Sequence, residues 1–322
     1  MGWKVLFTDH VFPSIEPVQD ELDRIGAELV VAAGDREAVA RAAADADAVL
    51  NTYFPLDAEL IGRMGRCRII ARLGIGVDNV DVATAERRGI WVTNVPDYCI
   101  DEVADHTLAL VLALLRKVTV LDALTRAGRW TFEPARPIPR LANLVLGLVG
   151  FGQIGRRVCQ KSKAFGLHVL AYDPYVNPFA IREAGAAPAD LDSLLASSDV
   201  VSIHVPLTAQ TRHLLDRERI ARMKPGAYLV NTSRGGIVDE AALREALDRG
   251  HLAGAALDVL EHEGAHWESP VRGHERVILT PHVAFYSEAS VEELQRKAAR
   301  QVVAVLSGAA PQHPVNRPAM AG

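Results

Sequence analysis

The segment NLVLGLVGFGQIGRRVCQKSKAFG (Asn143–Gly166) is the strongest indication of the fold, because an apolar run, three closely spaced glycines and a helix-like segment follow one another in it. Residues 144–149 predict a buried strand, and Ile154, Val158 and Phe165 share one face of a predicted helix. The six residues GFGQIG alone are weak evidence, since glycines at this spacing arise by chance. In the order strand, glycines, helix they are typical of a loop that binds a dinucleotide.

Each glycine of this loop has a physical task. Gly150 allows the tight turn, Gly152 lets the backbone approach a pyrophosphate, and Gly155 lets the helix pack closely on the strand. The phosphates then meet the unpaired N–H groups at the start of the helix and the positive end of its dipole. Asp173 ends the next strand, HVLAY, where a carboxylate accepts the ribose hydroxyls and repels a 2′-phosphate. The pattern therefore favours NAD over NADP.

Around this loop the chain of 322 residues shows two series of alternating strands and helices, one on each side of a Pro-rich stretch, FEPARPIPR. This length is ample for two domains, and the alternation predicts an α/β fold with mostly parallel sheets. A long, largely apolar helix is expected over 101–118. The last helix is expected over 287–308, with apolar residues on one face at Val291, Leu294, Ala298, Val302 and Leu306.

Composition excludes several classes of protein. A net charge of −5 and the lack of a dense Lys/Arg run make nucleic acid an unexpected partner. The most apolar helix, 103–115, is too short to span a bilayer and carries Asp105 and His106. The start of the chain does not resemble a secretory signal, so we expect a cytoplasmic protein. Three widely spaced cysteines without a CxxC pair favour reduced thiols without a catalytic role; they are Cys67, Cys99 and Cys159.

Three further stretches, NTSRGGIVDE, AGAALDVLEHE and ILTPHVAFYSE, lie where strands of the second sheet should end. Ligands of open parallel sheets bind at the carboxyl ends of the strands. Arg234 offers a planar, permanently charged fork for a carboxylate or an oxyanion. Glu263 can orient an imidazole, and His282 can donate or accept a proton near neutral pH. Each residue alone has a structural alternative, a surface ion pair or a solvated loop, but behind a nucleotide loop the three together predict a catalytic site.

These segments resemble the D-isomer-specific 2-hydroxyacid dehydrogenases. The resemblance lies in ARLGIGVDNVD, VADHTLAL, GLVGFGQIG, VNTSRGGIVDE, GAALDV and LTPH, in this order and over most of the chain. The chain is most similar to the branch of the C-terminal-binding proteins, through NVPDYCIDEVADHTLAL, KAFGLHVLAYDPY and TPHVAFYSE. The resemblance implies an NAD-dependent enzyme that transfers hydride between NAD(H) and a small D-2-hydroxy or 2-keto acid.

The resemblance also implies an organisation. A flavodoxin-like substrate-binding domain would comprise 1–100 and 286–322, and an inserted Rossmann NAD-binding domain with a parallel sheet would comprise 101–285. A homodimer is expected, formed through 101–140.

For the site, the resemblance implies that Arg234 binds the substrate carboxylate and keto oxygen, that His282 is the acid/base and that Glu263 partners it, favouring its protonated form. Substrate is expected to meet a loop in the first domain, an anion-binding set of backbone amides that Gly74 and Gly76 would allow, and one aromatic residue where that branch often has tryptophan; these are Tyr53, Arg72, Leu73, Gly74, Ile75, Gly76 and Phe285. Besides Gly150, Gly152 and Gly155, the implied NAD-binding residues are Thr107, Gln153, Ile154, Asp173, His204, Val205, Pro206, Thr211, Thr232, Ser233 and Asp258.

Alternatives remain at this point. Family members usually have proline after the catalytic glutamate, but here Gly264 follows Glu263, so Glu261 is a second candidate partner of His282. The run HEGAH, from His262 to His266, fits the HExxH pattern of zinc hydrolases, which requires a helix. Gly264 and the following WESP favour a loop, and we expect no metal. A further alternative is an NAD-dependent regulatory binding protein of the C-terminal-binding-protein type.

Overall fold

The structure is a computed structural model that describes residues 2–264 and 266–318. The chain forms two compact units. One consists of Met1–Tyr98 together with Ser287–Gly322, and the other is Cys99–Tyr286. The first unit is therefore made of two separate segments of the chain, and the second unit lies between them in sequence.

The first unit begins with alternating strands and helices: β1 (Lys4–Phe7), α1 (Glu16–Asp23), β2 (Glu28–Val31), α2 (Arg36–Ala43), β3 (Ala48–Asn51), α3 (Ala58–Arg63), β4 (Ile69–Arg72), α4 (Val82–Arg87) and β5 (Trp91–Thr93). The strands form a parallel sheet in the order β2-β1-β3-β4-β5, which is the flavodoxin-like order. Every residue of β3 and β4 is buried, because helices cover both faces of such a sheet.

The second unit follows the same alternation: α5 (Ile100–Arg116), α6 (Val118–Arg126), β6 (Val145–Val149), α7 (Gln153–Ser162), β7 (His168–Tyr172), α8 (Pro178–Glu183), β8 (Ala187–Pro188), α9 (Leu191–Ser197), β9 (Val200–Ile203), α10 (Arg217–Arg222), β10 (Tyr228–Asn231), α11 (Glu240–Asp248), β11 (Gly254–Leu257) and β12 (Val277–Leu279). Its parallel sheet has the order β12-β11-β10-β9-β6-β7-β8. The order reverses between β6 and β9, which is the switch point where a Rossmann fold binds its ligand.

The apolar helix predicted over 101–118 is present as α5 and ends two residues earlier than predicted. Helix α5 packs on α7 and on strands β10 and β11, and it ends at Arg116 because Lys117 adopts a left-handed conformation with φ 59°. Helix α7 likewise stops at Ser162, and Phe165 lies in a short 3-10 segment with 38% of its surface exposed. The sequence pattern had placed Phe165 on the buried face, but the change of helix type turns its side chain outward.

The last helix of the described residues is α12 (Glu288–Leu306), which packs on α1, β3 and β4 of the first unit. All five apolar positions predicted for its inner face are buried. Ser287 and Ser290 form a capping box that satisfies backbone N–H groups at its start. Within the described residues no helix has the length and apolar character needed to cross a membrane. The three cysteines are buried thiols.

Candidate active site

The glycine loop between β6 and α7 has the geometry of a phosphate-binding turn. Gly150 has φ +99°, and a Cβ atom there would lie 2.5 Å from the carbonyl oxygen of His204. A Cβ atom at Gly155 would lie 2.4 Å from the carbonyl oxygen of Gly150. At Gly152, by contrast, a Cβ atom would meet no heavy atom of the described chain within 4 Å. The first and third glycines are thus required by the protein itself, whereas the second borders open space at the start of a helix, which fits a pyrophosphate.

The Asp173 carboxylate lies beside this loop. Its Oδ2 accepts a hydrogen bond of 2.8 Å from the N–H group of Phe151, and its Oδ1 accepts one of 2.9 Å from the N–H group of Tyr175. Each carboxylate oxygen has a second lone pair for a ribose hydroxyl. The orientation and charge of Asp173 therefore fit NAD and disfavour the extra phosphate of NADP.

The different surroundings of the glycines give a testable contrast. We expect Gly152→Ala to weaken NADH binding by about tenfold or more, a loss of ~1.4 kcal/mol, because the new methyl group occupies the space of the pyrophosphate while its φ of −71° suits alanine. Gly150→Ala should instead lower the free energy of unfolding by about 1–3 kcal/mol, since alanine is strained at positive φ. NADH fluorescence titration and denaturation of the nucleotide-free protein separate the two effects. Wild-type affinity in Gly152→Ala would contradict the assignment.

The other predicted cofactor residues lie mainly at the same edge of the sheet. One group follows β9, another follows β10, Asp258 follows β11, and two residues open α7; the set is His204, Val205, Pro206, Thr211, Thr232, Ser233, Asp258, Gln153 and Ile154. Thr107 reaches this edge from α5, where its hydroxyl group contacts that of Thr232 at 2.9 Å. Ser233 Oγ donates to the carbonyl group of Ile203 at 2.7 Å. These contacts tie the ends of β9 and β10 to each other and to α5.

Burial lowers the pKa of His204 from 6.5 to about 4, because the surrounding protein desolvates its charged form. Its Nε2 contacts Ser202 Oγ at 2.9 Å, and the ring is neutral at pH 7. Below pH 6.5 the unfolded chain takes up a proton on His204 that the folded state does not, and this uptake favours unfolding. The free energy of unfolding is therefore not reduced by His204 above pH 6.5, and it declines as the pH falls toward 4.

Replacement of His204 tests this linkage. We expect the wild-type free energy of unfolding to decrease between pH 7 and pH 4.5 by up to about 3 kcal/mol more than that of His204→Gln. The reason is that glutamine cannot take up a proton in either state. Urea denaturation of the nucleotide-free proteins at several pH values provides the measurement. Parallel pH profiles for the two proteins would show that His204 does not resist protonation.

Arg234 lies in the loop that follows strand β10. The Nδ2 group of Asn231 donates a hydrogen bond of 2.8 Å to the carbonyl oxygen of Arg234 and fixes its extended backbone. The Nη1 group of Arg234 donates to the carbonyl oxygen of Ser233 at 2.8 Å. In the sheet, β11 and then β12 lie beside β10, so the loops that follow these two strands leave the same edge as Arg234.

Those two loops bring Glu263 and His282 together. Nδ1 of His282 and Oε2 of Glu263 are 2.7 Å apart. Since a carboxylate only accepts hydrogen bonds, Nδ1 carries the hydrogen and Nε2 is the nitrogen that can exchange a proton with a ligand. Glu261, the other candidate, lies instead 3.0 Å from Nε2 of His213. The geometry thus pairs His282 with Glu263.

The backbone at His282 is held in a rare conformation, with φ 50°. Asp258 fixes the residues around it: Oδ1 accepts from Thr280 Oγ1 at 2.5 Å and from the N–H group of Val283 at 3.0 Å, and Oδ2 accepts from the N–H group of Ala284 at 2.9 Å. Such strain persists only where the surroundings determine the conformation. The sequence predicted only a cofactor contact for Asp258 and not its hydrogen bonds to the residues around His282. The one signal for that role was an acid placed directly after β11.

The predicted substrate residues, apart from Phe285, lie in the first unit. Arg72 ends β4 and is buried, and Gly74, with φ +148°, lies so near it that a Cβ atom would overlap the guanidinium group. The N–H groups of Leu73 and Gly74 donate to the carbonyl oxygens of Asn51 (2.7 Å) and Arg72 (3.1 Å). Two of the amides expected to bind a carboxylate are therefore engaged within the unit. Ile75 and Gly76 follow in the same turn.

Tyr53 lies on a loop of the first unit whose backbone is hydrogen-bonded to Asp9. Asp9 accepts hydrogen bonds from the N–H groups of Tyr53 (2.8 Å) and Thr52 (3.2 Å). The Tyr53 side chain itself is 37% exposed. The contact of this loop with Asp9 was not predicted from the sequence. In the second unit, the ring of Phe285 packs edge-on against His282, with centroids 6.2 Å apart.

A zinc hydrolase needs the HEGAH run to be helical, and its described residues, 262–264 and 266, are not. Gly264 has φ +113°, and Ala265 lies outside the described residues. Glu263 is engaged by His282 and by the N–H group of Leu260. Across 2–264 and 266–318, no group of three or more His, Cys, Asp or Glu side chains is arranged to hold a metal ion.

Comparisons with known proteins agree with this geometry. Residues 108–284 match the family model for the NAD-binding domain of D-isomer-specific 2-hydroxyacid dehydrogenases. A glyoxylate reductase of Korarchaeum cryptofilum is 39% identical over 278 residues, which are 85% of this chain and 83% of the relative. D-3-phosphoglycerate dehydrogenase of Mycobacterium tuberculosis is 40% identical over 269 residues, 83% of this chain. The chain spans about half the length of this mycobacterial relative, since the match covers 50% of it.

Among solved structures, D-lactate dehydrogenase from Aquifex aeolicus, complexed with NAD and lactic acid, superposes with a TM-score of 0.90 at 32% identity, covering 98% of this chain and 100% of that one. The matches confirm the α/β fold class, the resemblance to the family and NAD as the cofactor. The relatives named above are dehydrogenases and a reductase, the enzyme class that the sequence predicts.

Proposed function

Because the chain belongs to the D-isomer-specific 2-hydroxyacid dehydrogenase family, we propose that it interconverts a small 2-keto acid and the corresponding D-2-hydroxy acid. The observation that carries this proposal is the 2.7 Å hydrogen bond between His282 Nδ1 and Glu263 Oε2. It makes Nε2 the nitrogen that exchanges a proton with substrate. His282 lies on the loop after β12, two strands away from β10, the strand that Arg234 follows.

Three side chains divide the work. In the reductive direction His282 donates the proton on Nε2 to the keto oxygen, and in the oxidative direction Nε2 accepts the proton of the hydroxyl group. Glu263 holds the Nδ1–H group, which fixes the ring orientation and balances the positive charge of the imidazolium form. Arg234 binds the carboxylate through its planar fork and stabilises negative charge on the oxygen. Bound NADH supplies the hydride.

The same edge of the sheet would hold the cofactor. The N–H groups at the start of α7, next to Gly152, would bind the pyrophosphate, and Asp173 would accept hydrogen bonds from the ribose hydroxyls. The carboxylate of Asp173 makes NAD the preferred dinucleotide. We assign NAD binding to residues 101–285 and substrate binding to residues 1–100 and 286–322, including Tyr53, Arg72 and Leu73–Gly76.

The proposed setting is the cytoplasm, with a small-molecule acid as the partner and without nucleic acid or membrane. A homodimer formed through 101–140 is part of the proposal. The loop there exposes Trp130 (92%) and Phe132 (55%), apolar surface that a second copy would cover. The relatives above are named as dehydrogenases or reductases, so the metabolic role is proposed over the regulatory one.

A keto-acid panel tests the function. NADH absorbance is followed with glyoxylate, pyruvate, hydroxypyruvate and phenylpyruvate, and NADPH replaces NADH in parallel. Oxidation of D-3-phosphoglycerate is also measured, because the mycobacterial relative is named D-3-phosphoglycerate dehydrogenase. We expect turnover of at least one acid, with a higher kcat/KM for NADH. Tight NADH binding with negligible turnover of every acid, coupled to nucleotide-dependent association, would instead support the regulatory role.

A further inference from the structure

Glu240, the first residue of α11, is an acidic side chain that is only 3% exposed. Its Oε1 accepts a hydrogen bond of 2.6 Å from the backbone N–H group of Glu261, and its Oε2 accepts one of 2.5 Å from the hydroxyl group of Ser269. Both acceptors thus bind residues of one loop, which we call the Glu263 loop and define by its described residues 259–264 and 266–270. A buried carboxylate is costly unless hydrogen bonds satisfy it, so these contacts hold the two parts of the loop to α11.

The start of the Glu263 loop is also packed tightly against backbone. A Cβ atom added at Gly235 would lie 1.9 Å from the carbonyl carbon of Leu260 and 2.4 Å from the nitrogen of Glu261. The loop therefore rests directly on the residue after Arg234. A loop seated this closely has little freedom to move toward α11 or away from it without losing contacts.

Two further hydrogen bonds connect the Glu263 loop to the proposed acid/base pair, Glu263 and His282. The N–H group of Leu260 donates a hydrogen bond of 3.1 Å to Glu263 Oε1, and Glu263 Oε2 contacts His282 Nδ1. Leu260 adjoins Glu261, whose amide Glu240 binds. Any shift of the Glu261 backbone displaces Leu260 and with it the carboxylate of Glu263.

We propose that Glu240 is a positioning residue for the reaction: it fixes the Glu263 loop so that Glu263 keeps its contact with His282. The proposal rests on the proposed function of that pair. It concerns the geometry of the loop, since Glu240 itself contacts the backbone of Glu261 and the side chain of Ser269. The charged groups linked to Glu240 by its backbone are Glu261, whose Oε1 accepts a hydrogen bond of 3.5 Å from the Glu240 N–H group, and, through Glu261, His213.

Two replacements of Glu240 separate positioning from bulk stability. Glu240→Met keeps the length and buried volume but leaves the Glu261 amide without its acceptor. Glu240→Gln keeps an acceptor for that amide, and its own N–H group can donate to Ser269. We expect E240M to lower kcat roughly tenfold to hundredfold with unchanged KM for NADH, and E240Q to stay close to wild type.

A second readout does not depend on turnover. The hydrogen-bonded Nδ1–H proton of His282 should give a far-downfield proton NMR signal in the nucleotide-free protein, assigned by its loss in His282→Gln. The signal should weaken or vanish in E240M and persist in E240Q. Loss of the signal in E240M while every acid in the panel fails would reject the proposed function but support the positioning role.

The proposal is overturned if E240M keeps both the signal and kcat and only its melting temperature falls, since Glu240 would then be structural. Should E240M fail to fold, as judged by circular dichroism, Ser269→Ala takes its place because it removes one of the two contacts. We expect S269A to weaken the signal and reduce kcat several-fold. An unchanged signal and kcat in S269A would then overturn the proposal.

Discussion

Replacing His282 by glutamine is expected to lower kcat for reduction of a 2-keto acid by about 10²–10⁴-fold. Glutamine is close to histidine in size, but it cannot deliver a proton to the keto oxygen. Because His282 is proposed to act on the reacting oxygen, NADH affinity should stay at its wild-type value. Stopped-flow and steady-state measurements of NADH oxidation give kcat, and fluorescence titration gives the affinity for NADH.

Two glutamates of the same loop supply the matched controls. Glu263→Gln removes the charge beside Nδ1 of His282 and should reduce kcat, though less than loss of the histidine itself. Glu261→Gln changes a carboxylate two residues away that contacts His213, and it should leave kcat near the wild-type value. The reverse order of effects would reassign the partner of His282 to Glu261. Full activity in His282→Gln would refute the proposed mechanism.

The fold was predictable because its signals are local. Strand β6, the glycines and α7 follow one another within 143–166, and each step restricts the next: an apolar strand, a turn that needs positive φ at Gly150, and a helix whose inner face repeats every third or fourth residue. The fully buried strands β3 and β4 likewise begin with apolar runs, at 48–50 and 69–71. The misplaced ends, at Lys117 and Phe165, depend on single backbone angles and on a change of helix type that periodicity does not encode.

The candidate site was predictable in its chemistry but not in its contacts. Arg234, Glu263 and His282 follow three neighbouring strands, so topology alone places them at one edge of the sheet. The choice between Glu261 and Glu263 stayed open, since loop residues have no periodicity and only packing decides which carboxylate meets the imidazole.

Three anchors were missed for a related physical reason. The carboxylates of Asp9, Asp258 and Glu240 each accept backbone N–H groups from residues distant in sequence. In the sequence Asp9 is only an acid after a strand and Glu240 only an acid at the start of a helix, where acids are common. Their importance arises from which loop happens to pack against them, and this is a property of the tertiary structure.

Replacing Arg234 by glutamine is expected to lower kcat/KM for every 2-keto acid that the protein reduces by about 10²–10³-fold. All these acids share the carboxylate and the keto oxygen, so a loss common to the panel follows if Arg234 binds those groups. Arg234→Lys should recover only part of the loss, because lysine keeps the charge but not the planar fork that holds a carboxylate by two parallel hydrogen bonds. Kinetics across the panel measure both effects, with NADH affinity expected to be unchanged.

Rescue and a surface control distinguish a direct role of Arg234 from a general disturbance. Added guanidinium ion should partly restore turnover to Arg234→Ala, since a small planar cation can enter the space left by the side chain. Arg222→Gln removes another arginine of the same unit, whose ion pairs with Asp192 and Glu218 are exposed, and it should leave kcat/KM at the wild-type value. A kcat/KM of Arg234→Gln within about threefold of wild type, less than 1 kcal/mol of transition-state stabilisation, would show that the substrate carboxylate is bound by other groups.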